Sequence, residues 1–356
     1  MKKGFAIFTL IMLALTGTFF TVESMDGENF KELPFSFDNN GDILKGAFFK
    51  PNIKKDSYTV VIFIHGDGAM DRYSGYYFNI LAEEFAKKGI ACVSWDKKGV
   101  GESEGNWLYQ NMKDRANETV DAIEALKKME IVKKDAIILC GFSQGNWVLP
   151  LVASMSYYPD YMIMVSGAVN WNRQFKYMVE NDMNQMEYSP ELKKEILKKC
   201  DEFNGYFKSE KTYVEYVEYM KNLPAEVNLA ISGDEKPSIS SYDRWVFEKI
   251  NSDSDSRPWL KNINCPVLAL FGEKDENVDW KESISVYENE FVKNNNDDFT
   301  IKSYPDSDHS LYLKNPFEDE KMSKEAQFYS FIFNPYQYLN REYVMDMVNW
   351  LSNRLF

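Results

Sequence analysis

Histidine and cysteine are scarce in this chain, which contains two histidines and four cysteines among 356 residues. His65 and His309 lie far apart, and no cysteines cluster with them at the spacing of a structural or catalytic zinc site. We therefore expect no metal site and no cofactor. Because histidine is the side chain best suited to act as a base near neutral pH, the choice of a catalytic base is narrow.

Basic residues are outnumbered by acidic ones, and the net charge is −14. Such a surface repels nucleic acid and anionic membranes, so nucleic-acid binding is not expected. The hydrophobic fraction of 44% and the aromatic fraction of 15% are typical of a globular protein with a substantial core.

Charge is absent from residues 4–22, an apolar run that two lysines precede. This pattern indicates that residues 1–24 form a secretory signal peptide with cleavage after Ser24. An uncleaved anchor is the competing interpretation, because the run approaches the ~20 residues that span a bilayer. A buried helix is the least favoured. We expect an exported protein, secreted, periplasmic or at the cell surface, with the membrane contacted only through this segment.

The four cysteines are not expected to form a disulfide framework. Cys92 and Cys140 lie in apolar runs that are interpreted as strands with another strand between them, which is too far apart for a bridge. A bridge between Cys200 and Cys265 stays open, but free buried thiols are the preferred interpretation.

Apolar strands alternate with amphipathic helices along most of the chain, which predicts an α/β fold with a mostly parallel sheet covered by helices on both faces. The alternation lapses over residues 171–260, where the sequence is charged and helical. We therefore assign residues 25–170 and 261–356 to the sheet domain and 171–260 to a helical insertion. The predicted strands are Leu33–Phe37, Ile43–Phe49, Thr59–Ile64, Ile90–Trp95, Ala136–Cys140, Tyr161–Val165, Pro266–Phe271 and Phe299–Tyr304.

A Gly-x-Ser-x-Gly sequence occupies residues 141–145, between a predicted strand and a predicted helix. This context is the one that a nucleophile elbow requires. Ser143 is the predicted nucleophile, and Gly141 and Gly145 keep the flanking positions small so that strand and helix can approach.

The acid and the base of a catalytic triad should follow the serine in that order. Asp275 lies in the loop after the strand Pro266–Phe271, and His309 lies in the loop after the next strand. Glu276 and Asp279 are alternative acids, and any of the three carboxylates could be a solvated loop charge. A surface loop residue is the competing interpretation of His309.

The sequence His-Gly-Asp-Gly at 65–68 follows the strand Thr59–Ile64 directly. In this position the backbone N–H groups of Asp67 and Gln144 are predicted to form an oxyanion hole. His65 and Gly66 then shape the loop, and His65 is not predicted to act as a base. The Asp67 carboxylate must point away or be neutralised, and pairing with Arg72 is our hypothesis.

At these residues the chain resembles the α/β-hydrolase superfamily, and in particular bacterial serine esterases with an H-G-S-G-P-x-D-R loop, which here is H-G-D-G-A-M-D-R at 65–72. A second shared feature is the D-K-K-G-V-G-E-S turn at 96–103. The resemblance implies a triad of Ser143, Asp275 and His309 and an insertion that caps the site. Related serine aminopeptidases and acyl-thioester hydrolases share these features, so they do not determine the substrate.

The sequence therefore predicts a serine hydrolase that cleaves carboxylic esters of small or medium acyl groups. A serine aminopeptidase-like peptidase and an acyl-thioester hydrolase are alternatives from the same fold. A binding protein without activity belongs to a different class and has little support, because all three triad candidates are present. Most aromatic and methionine residues of 171–260 are expected to form that segment's own core, with a minority lining an acyl pocket.

Overall fold

A computed structural model describes residues 26–155, 159–184, 186, 188–232, 237–313 and 338–356. The predicted export segment 1–24 lies outside these residues. Within the described ranges, no helix has the length and apolar character needed to cross a bilayer.

One eight-stranded sheet organises the chain, with the spatial order β1-β2-β4-β3-β5-β6-β7-β8. Strands β3 to β8 run parallel, whereas β1 and β2 form an antiparallel pair at one edge. The strands are β1 Phe30–Asn39, β2 Asp42–Pro51, β3 Tyr58–Ile64, β4 Ala91–Trp95, β5 Val132–Phe142, β6 Tyr161–Val165, β7 Val267–Gly272 and β8 Phe299–Tyr304. The predicted mostly parallel sheet is confirmed.

Both faces of the sheet are buried, which explains why its central strands are continuously apolar. Along β3, Val60 and Ile62 belong to one hydrophobic cluster and Val61 and Phe63 to the other. The first face is covered by α2 Met112–Lys127, α3 Gly145–Ser154 and α10 Trp280–Lys293, and the second by α1 Tyr77–Ala86 and α11 Arg341–Leu355.

The strand β5 begins at Val132, four residues before the predicted start at Ala136. The added residues include exposed Lys133, Lys134 and Asp135, whose charges mask the strand in the sequence. They extend the pairing between β3 and β5, because Tyr58 of β3 aligns with Val132 of β5. The register of the two strands shifts between Tyr58 and Val60.

Helices fill the segment between β6 and β7, as the sequence predicted. Residues including Met183, Cys200, Phe207, Tyr216 and Met220 form a hydrophobic cluster of their own. The cluster explains the interleaved aromatic residues and methionines, because short helices need a buried apolar face. The helices are α4 Trp171–Asn184, α5 Pro190–Lys208, α6 Tyr213–Lys221, α7 Ala225–Ser232, α8 Tyr242–Asn251 and α9 Arg257–Leu260.

All four cysteines are free thiols. Cys92 on β4 and Cys140 on β5 are separated by β3, as predicted. Cys200 and Cys265, the pair left open by the sequence, are also unbridged.

The carboxyl ends of β3, β5, β7 and β8 meet at one edge of the sheet, since these strands are parallel. The loops that leave these four ends carry Asp67, Ser143, Asp275 and His309. Residues that are up to 242 positions apart in sequence are thereby brought to one side of the molecule.

Candidate active site

Ser143 stands on a sharp turn between β5 and α3. Its φ of 49° lies in the left-handed region, which is rare for a residue other than glycine and is strained. The Ser143 N–H donates to Val165 O at 2.9 Å and so ties the turn to β6. A Cβ atom at Gly145 would lie 2.5 Å from Ile64 O, and one at Gly141 would lie 2.8 Å from Leu149 Cδ1. Space therefore requires glycine at 145, whereas a side chain at 141 would have to displace the buried side chain of Leu149.

Asn146, which the sequence analysis missed, stabilises this turn by hydrogen bonds from its side chain. Its side chain is fully buried, and its Nδ2 donates to Ser143 O at 3.1 Å and to Val165 O at 2.8 Å. The bonds connect the strained serine to the end of the neighbouring strand. A polar residue in an otherwise apolar helix, Asn146-Trp-Val-Leu-Pro, was the available signal.

Asp275 and His309 form the second part of the site. The His309 Nδ1–H donates to Asp275 Oδ2 at 2.7 Å. Asp275 is only 2% exposed, and its Oδ1 accepts the N–H groups of Asn277 and Val278, both at 2.8 Å. The carboxylate is thus held in place on both oxygens.

Of the alternative acids, Asp279 caps α10 by accepting the Glu282 N–H at 3.0 Å, and Glu276 is exposed.

The electrostatic surroundings of His309 favour its charged form. Burial lowers the pKa of His309, but the charge and the hydrogen bond of Asp275, together with the charge of Asp308, raise it above its ordinary value. The imidazole therefore binds a proton more tightly than a free histidine, while Asp275 holds the ring by Nδ1 and leaves Nε2 for other partners.

Ser143 and His309 line one cavity of about 480 Å³ at the carboxyl edge of the sheet. Gly66 and Asp67 line the same cavity, so the loop after β3 faces the serine across it. A Cβ atom at Gly66 would lie 3.3 Å from Ser143 Cβ and 3.9 Å from Ser143 Oγ. The loop and the nucleophile turn are therefore in van der Waals contact.

The two backbone N–H groups predicted to form an oxyanion hole belong to Asp67 and Gln144. Neither group donates a hydrogen bond to another residue of the described ranges. Gln144 is the first residue after Ser143, and it adopts a helical conformation at the start of α3. Both amides are consequently available to a bound oxygen, with Gln144 at the positive end of a helix.

Two buried cations, which the sequence analysis did not assign, hold the segments that carry these amides. Lys97 Nζ donates to Gly66 O at 2.5 Å and to Gly68 O at 2.9 Å, so it binds the loop on either side of Asp67. Burial and the nearby Arg115 lower the Lys97 pKa well below its usual value.

Arg115 of α2 is the second buried cation, and it holds the segment that carries the Gln144 amide. Its two terminal nitrogens donate to Gln144 Oε1 at 2.7 Å and to His65 O at 2.6 Å. A charged residue on the buried stripe of α2, beside Ala116 and Thr119, was the sequence signal for this contact.

The Asp67 carboxylate is neutralised by Arg244 of α8, and the hypothesis that Arg72 pairs with it is wrong. Arg244 donates to the two Asp67 oxygens at 3.3 and 3.1 Å across 177 residues of sequence. Burial raises the pKa of Asp67, but Arg244, Lys97 and the Gly68 N–H lower it below its ordinary value. Arg72 instead binds Asp96 at 2.6 Å, which joins the loop 65–72 to the turn 96–103.

His65 lies beneath the loop and does not face the cavity. Its Nε2–H donates to Trp95 O at 2.8 Å, and its ring stacks on Phe78 with 4.8 Å between centroids. Burial and the charge of Lys97 lower the His65 pKa to about 3. The ring therefore stays neutral near pH 7 and supports the loop, and the described residues contain no cluster of metal-ligating side chains.

A second cavity of about 310 Å³ adjoins the first beneath the helices of 171–260. Ser143, Gln144 and Asp67 line it from the sheet domain, and Arg244 and Glu248 line it from α8. Six aromatic side chains are among its other lining residues, and five of these belong to the insertion, so part of the insertion faces the site.

The family comparison agrees with this geometry. A family model described as serine aminopeptidase, S33, matches residues 55–315, which is more than half of the chain. The chain belongs to the S33 serine aminopeptidase family. Membership in the S33 family supports a hydrolase and covers the three loops that carry Ser143, Asp275 and His309.

Solved structures share the fold of this S33 member at low sequence identity. An esterase of Pyrococcus furiosus has a TM-score of 0.53 at 16% identity, covering 91% of this chain and 93% of that one. Est1E of Butyrivibrio proteoclasticus with ferulic acid bound has 0.50 at 16%, covering 80% and 93%. The acylaminoacyl peptidase of Pyrococcus horikoshii has 0.50 at 17%, covering 79% of this chain and 38% of that one.

The likeness shows the α/β-hydrolase fold. None of the curated protein sequences compared with the chain matches it.

Replacing Lys97 with methionine should slow turnover of a p-nitrophenyl ester. The variant loses the donor that holds Gly66 O and Gly68 O, and misplacing one oxyanion donor costs about a hundredfold in kcat. KM should change little, because the interaction acts on the transition state. Steady-state kinetics with this ester measure both kcat and KM.

Lys98→Met is the matched control, because Lys98 is also buried but binds Asn39 O and Asp42 away from the loop. It should lower the free energy of unfolding without a comparable fall in kcat. Equal kcat values for the two variants would contradict a positioning role for Lys97.

Replacing Arg244 with methionine should reduce kcat by about tenfold, because the Asp67 carboxylate loses its cation beside the oxyanion amides. Adding Asp67→Asn to that variant should restore most of the rate, as expected for two coupled neighbours. Arg173→Met breaks another ion pair between the insertion and the sheet domain, with Glu282, and serves as the control. If the losses of kcat in the two single variants add up in the double variant, Arg244 and Asp67 do not act as a unit.

Proposed function

We propose that the protein is a serine hydrolase that cleaves carboxylic esters of small or medium acyl groups through an acyl-enzyme. One observation carries the proposal: Ser143, on a strained turn, lines the same cavity as His309, whose Nδ1 is bound to the buried Asp275. A nucleophile, a base and a residue that orients the base are the three parts that acyl transfer by serine requires.

In the first half of the proposed reaction, His309 Nε2 accepts the proton of Ser143 Oγ as that oxygen attacks the ester carbonyl. Asp275 keeps the Nδ1 proton in place and stabilises the imidazolium. The carbonyl oxygen becomes an oxyanion and accepts hydrogen bonds from the N–H groups of Asp67 and Gln144. His309 then gives its proton to the departing alcohol.

In the second half, a water molecule attacks the acyl group on Ser143. His309 Nε2 accepts the proton of that water, and the same two amides stabilise the second oxyanion. Return of the proton to Ser143 Oγ releases the carboxylic acid and restores the enzyme. Every step uses the one histidine that faces the cavity, because the buried and neutral His65 lies beneath the loop.

A peptidase that removes N-terminal residues is the second candidate, favoured by the family and by one residue. Glu248 lines the smaller cavity and offers a carboxylate to the ammonium group of a peptide. Its Oε1, however, accepts Arg244 Nε–H at 3.0 Å, so the charge is already partly compensated. We place ester hydrolysis first on this basis.

The insertion 171–260 is proposed to act as a cap. Two contacts support this role: Tyr177 of α4 donates to Asp275 O at 3.0 Å, and Arg244 of α8 binds Asp67. Both contacts bring helices of the insertion against loops of the site.

Export through residues 1–24 stays part of the proposal, and the mass of the mature N-terminus tests it.

Ser143→Ala should abolish hydrolysis of p-nitrophenyl esters, with a loss of about a thousandfold or more in kcat. Ser285→Ala, at an exposed position of α10, should keep full activity. The same assay with aminoacyl-anilides separates the two candidates. Turnover of anilides without turnover of esters would overturn the esterase assignment, and absence of both, without labelling by a fluorophosphonate, would favour a binding protein.

The value of kcat/KM should rise with pH through the raised pKa of His309, because only the neutral imidazole accepts the serine proton. Asp308→Asn removes a negative charge that raises this pKa, so the rise should move to lower pH. An amide at this position still accepts the N–H groups of Ser310 and Tyr312. Asp306→Asn, at an exposed site, is the control, and identical pH profiles for both variants would contradict the assignment.

A further inference from the structure

Ser143 lies where two cavities meet, and the proposed base lines one of them. Asp67, Ser143, Gln174 and Met178 line both cavities. His309 lines the larger one, of about 480 Å³, and not the smaller one, of about 310 Å³. Because His309 must protonate the departing alcohol oxygen, the alcohol lies on the side of the larger cavity. The acyl group of a bound ester therefore extends from the carbonyl carbon into the smaller cavity.

A third cavity, of about 490 Å³, lies between α2 and α3 of the sheet domain and α9 of the insertion. We name it the outer groove, and its lining includes Met112, Lys113, Trp147, Leu151, Met155 and Trp259. Lys113 and Trp259 are exposed, so the groove opens to solvent, whereas Met112 and Leu151 are buried and give it an apolar floor. None of the three triad residues lines the outer groove.

Trp147 of α3 separates the smaller cavity from the outer groove, and among the described residues it is the one that lines both. It follows Ser143 by four positions, about one turn of the helix. Its side chain is 4% exposed, its Nε1–H donates to Val169 O at 3.1 Å, and its ring stacks on Trp171 with 5.7 Å between centroids. The indole is therefore fixed in place as a wall between the two spaces.

Behind other walls of the smaller cavity lie packed side chains of the insertion. Four of its lining residues belong to the insertion's own hydrophobic cluster: Phe203, Phe207, Tyr216 and Met220. Such interiors are close-packed and yield little to an added group. An acyl chain that is too long for the cavity would therefore have to move either this cluster or the indole of Trp147.

We infer that Trp147 limits the length of the acyl group, because it closes the acyl site against the outer groove. The inference rests on the proposed ester hydrolysis and names the residue that sets the acyl length for it. A volume of about 310 Å³ is near the lower end for ligand sites, so the closed site takes a small or medium acyl group. With a shorter side chain at this position, the acyl site and the outer groove form one channel with an apolar floor.

A series of p-nitrophenyl esters with unbranched acyl groups tests the limit in the wild type. We expect kcat/KM to be highest for butyrate or hexanoate and to fall by about tenfold or more for decanoate, because methylene groups that a site cannot hold are costly. Equal values from butyrate to decanoate would overturn the inference. The alcohol is the same throughout, so the series reports the acyl site.

Trp147→Leu should extend the range of acyl groups. The ratio of kcat/KM for decanoate to that for butyrate should rise by about tenfold or more over the wild type. Trp259→Leu is the matched control, because Trp259 is exposed and lines the outer groove but not the smaller cavity. It should keep the ratio of the wild type. An unchanged ratio in Trp147→Leu, or an equal rise in Trp259→Leu, would overturn the inference.

A second series, of acetate esters with alcohols of increasing length, checks which cavity holds the acyl group. Trp147→Leu should keep the wild-type preference among alcohols, because Trp147 does not line the larger cavity. A change in the preference among alcohols, without a change in the preference among acyl groups, would place the acyl group in the larger cavity and overturn the inference.

The loss of the indole leaves the carbonyl group of Val169 with another partner. Val169 O also accepts the Ser256 N–H at 2.9 Å, so Trp147→Leu does not leave it unpaired. Thermal unfolding and the rate with butyrate report whether the variant folds. If it does not fold, the acyl series in the wild type decides the inference by itself.

Failure of this inference and failure of the proposed function give different results. Hydrolysis of all acyl lengths with equal kcat/KM overturns the limit set by Trp147 and leaves ester hydrolysis standing. If the wild type hydrolyses no ester, the proposed function fails and this inference fails with it.

Discussion

The close approach of two loops is the constraint on which the rest of the site depends. Gly145, behind the nucleophile, packs against the carbonyl groups that end β3, and Gly66, in front of it, packs against Ser143 itself. A side chain at Gly145 would push the loop after β3 away from the turn after β5, and one at Gly66 would crowd Ser143 and the carbonyl group of Phe142. The two backbone amides proposed to bind the oxyanion belong to these two segments, so their separation is determined by contacts between backbone atoms.

Buried cations maintain that separation. Lys97 binds the carbonyl groups on both sides of Asp67, and Arg115 binds both His65 O and the side chain of Gln144. In a low-dielectric interior these charge-assisted bonds are strong, and the carbonyl groups would be costly to leave unpaired. The positions of the amides are therefore set before any substrate binds, which is the condition for effective electrostatic stabilisation.

The sequence predicted the fold and the approximate strand bounds because buried parallel strands are continuously apolar. It also predicted which carboxylate meets His309, because the order of the loops follows the order of the strands. It could not predict the partner of Asp67. Arg72 is close in sequence, but Arg244 reaches Asp67 only because α8 folds back over the sheet edge. Lys97 and Arg115 were missed for a related reason, since three of their four partners are backbone carbonyl groups, which carry no residue-type signal.

The ion pair between Arg244 and Asp67 has a consequence for how this family can vary. Most of the insertion packs on its own hydrophobic cluster, so its helices could in principle be exchanged between relatives as a unit. Yet one of them supplies the counter-charge for a residue of the catalytic loop. Grafting an insertion without a cation in place of Arg244 onto this sheet domain would leave only Lys97 and the Gly68 N–H to stabilise the Asp67 carboxylate. In this chain the insertion and the loop after β3 are therefore coupled by charge in spite of their separate cores.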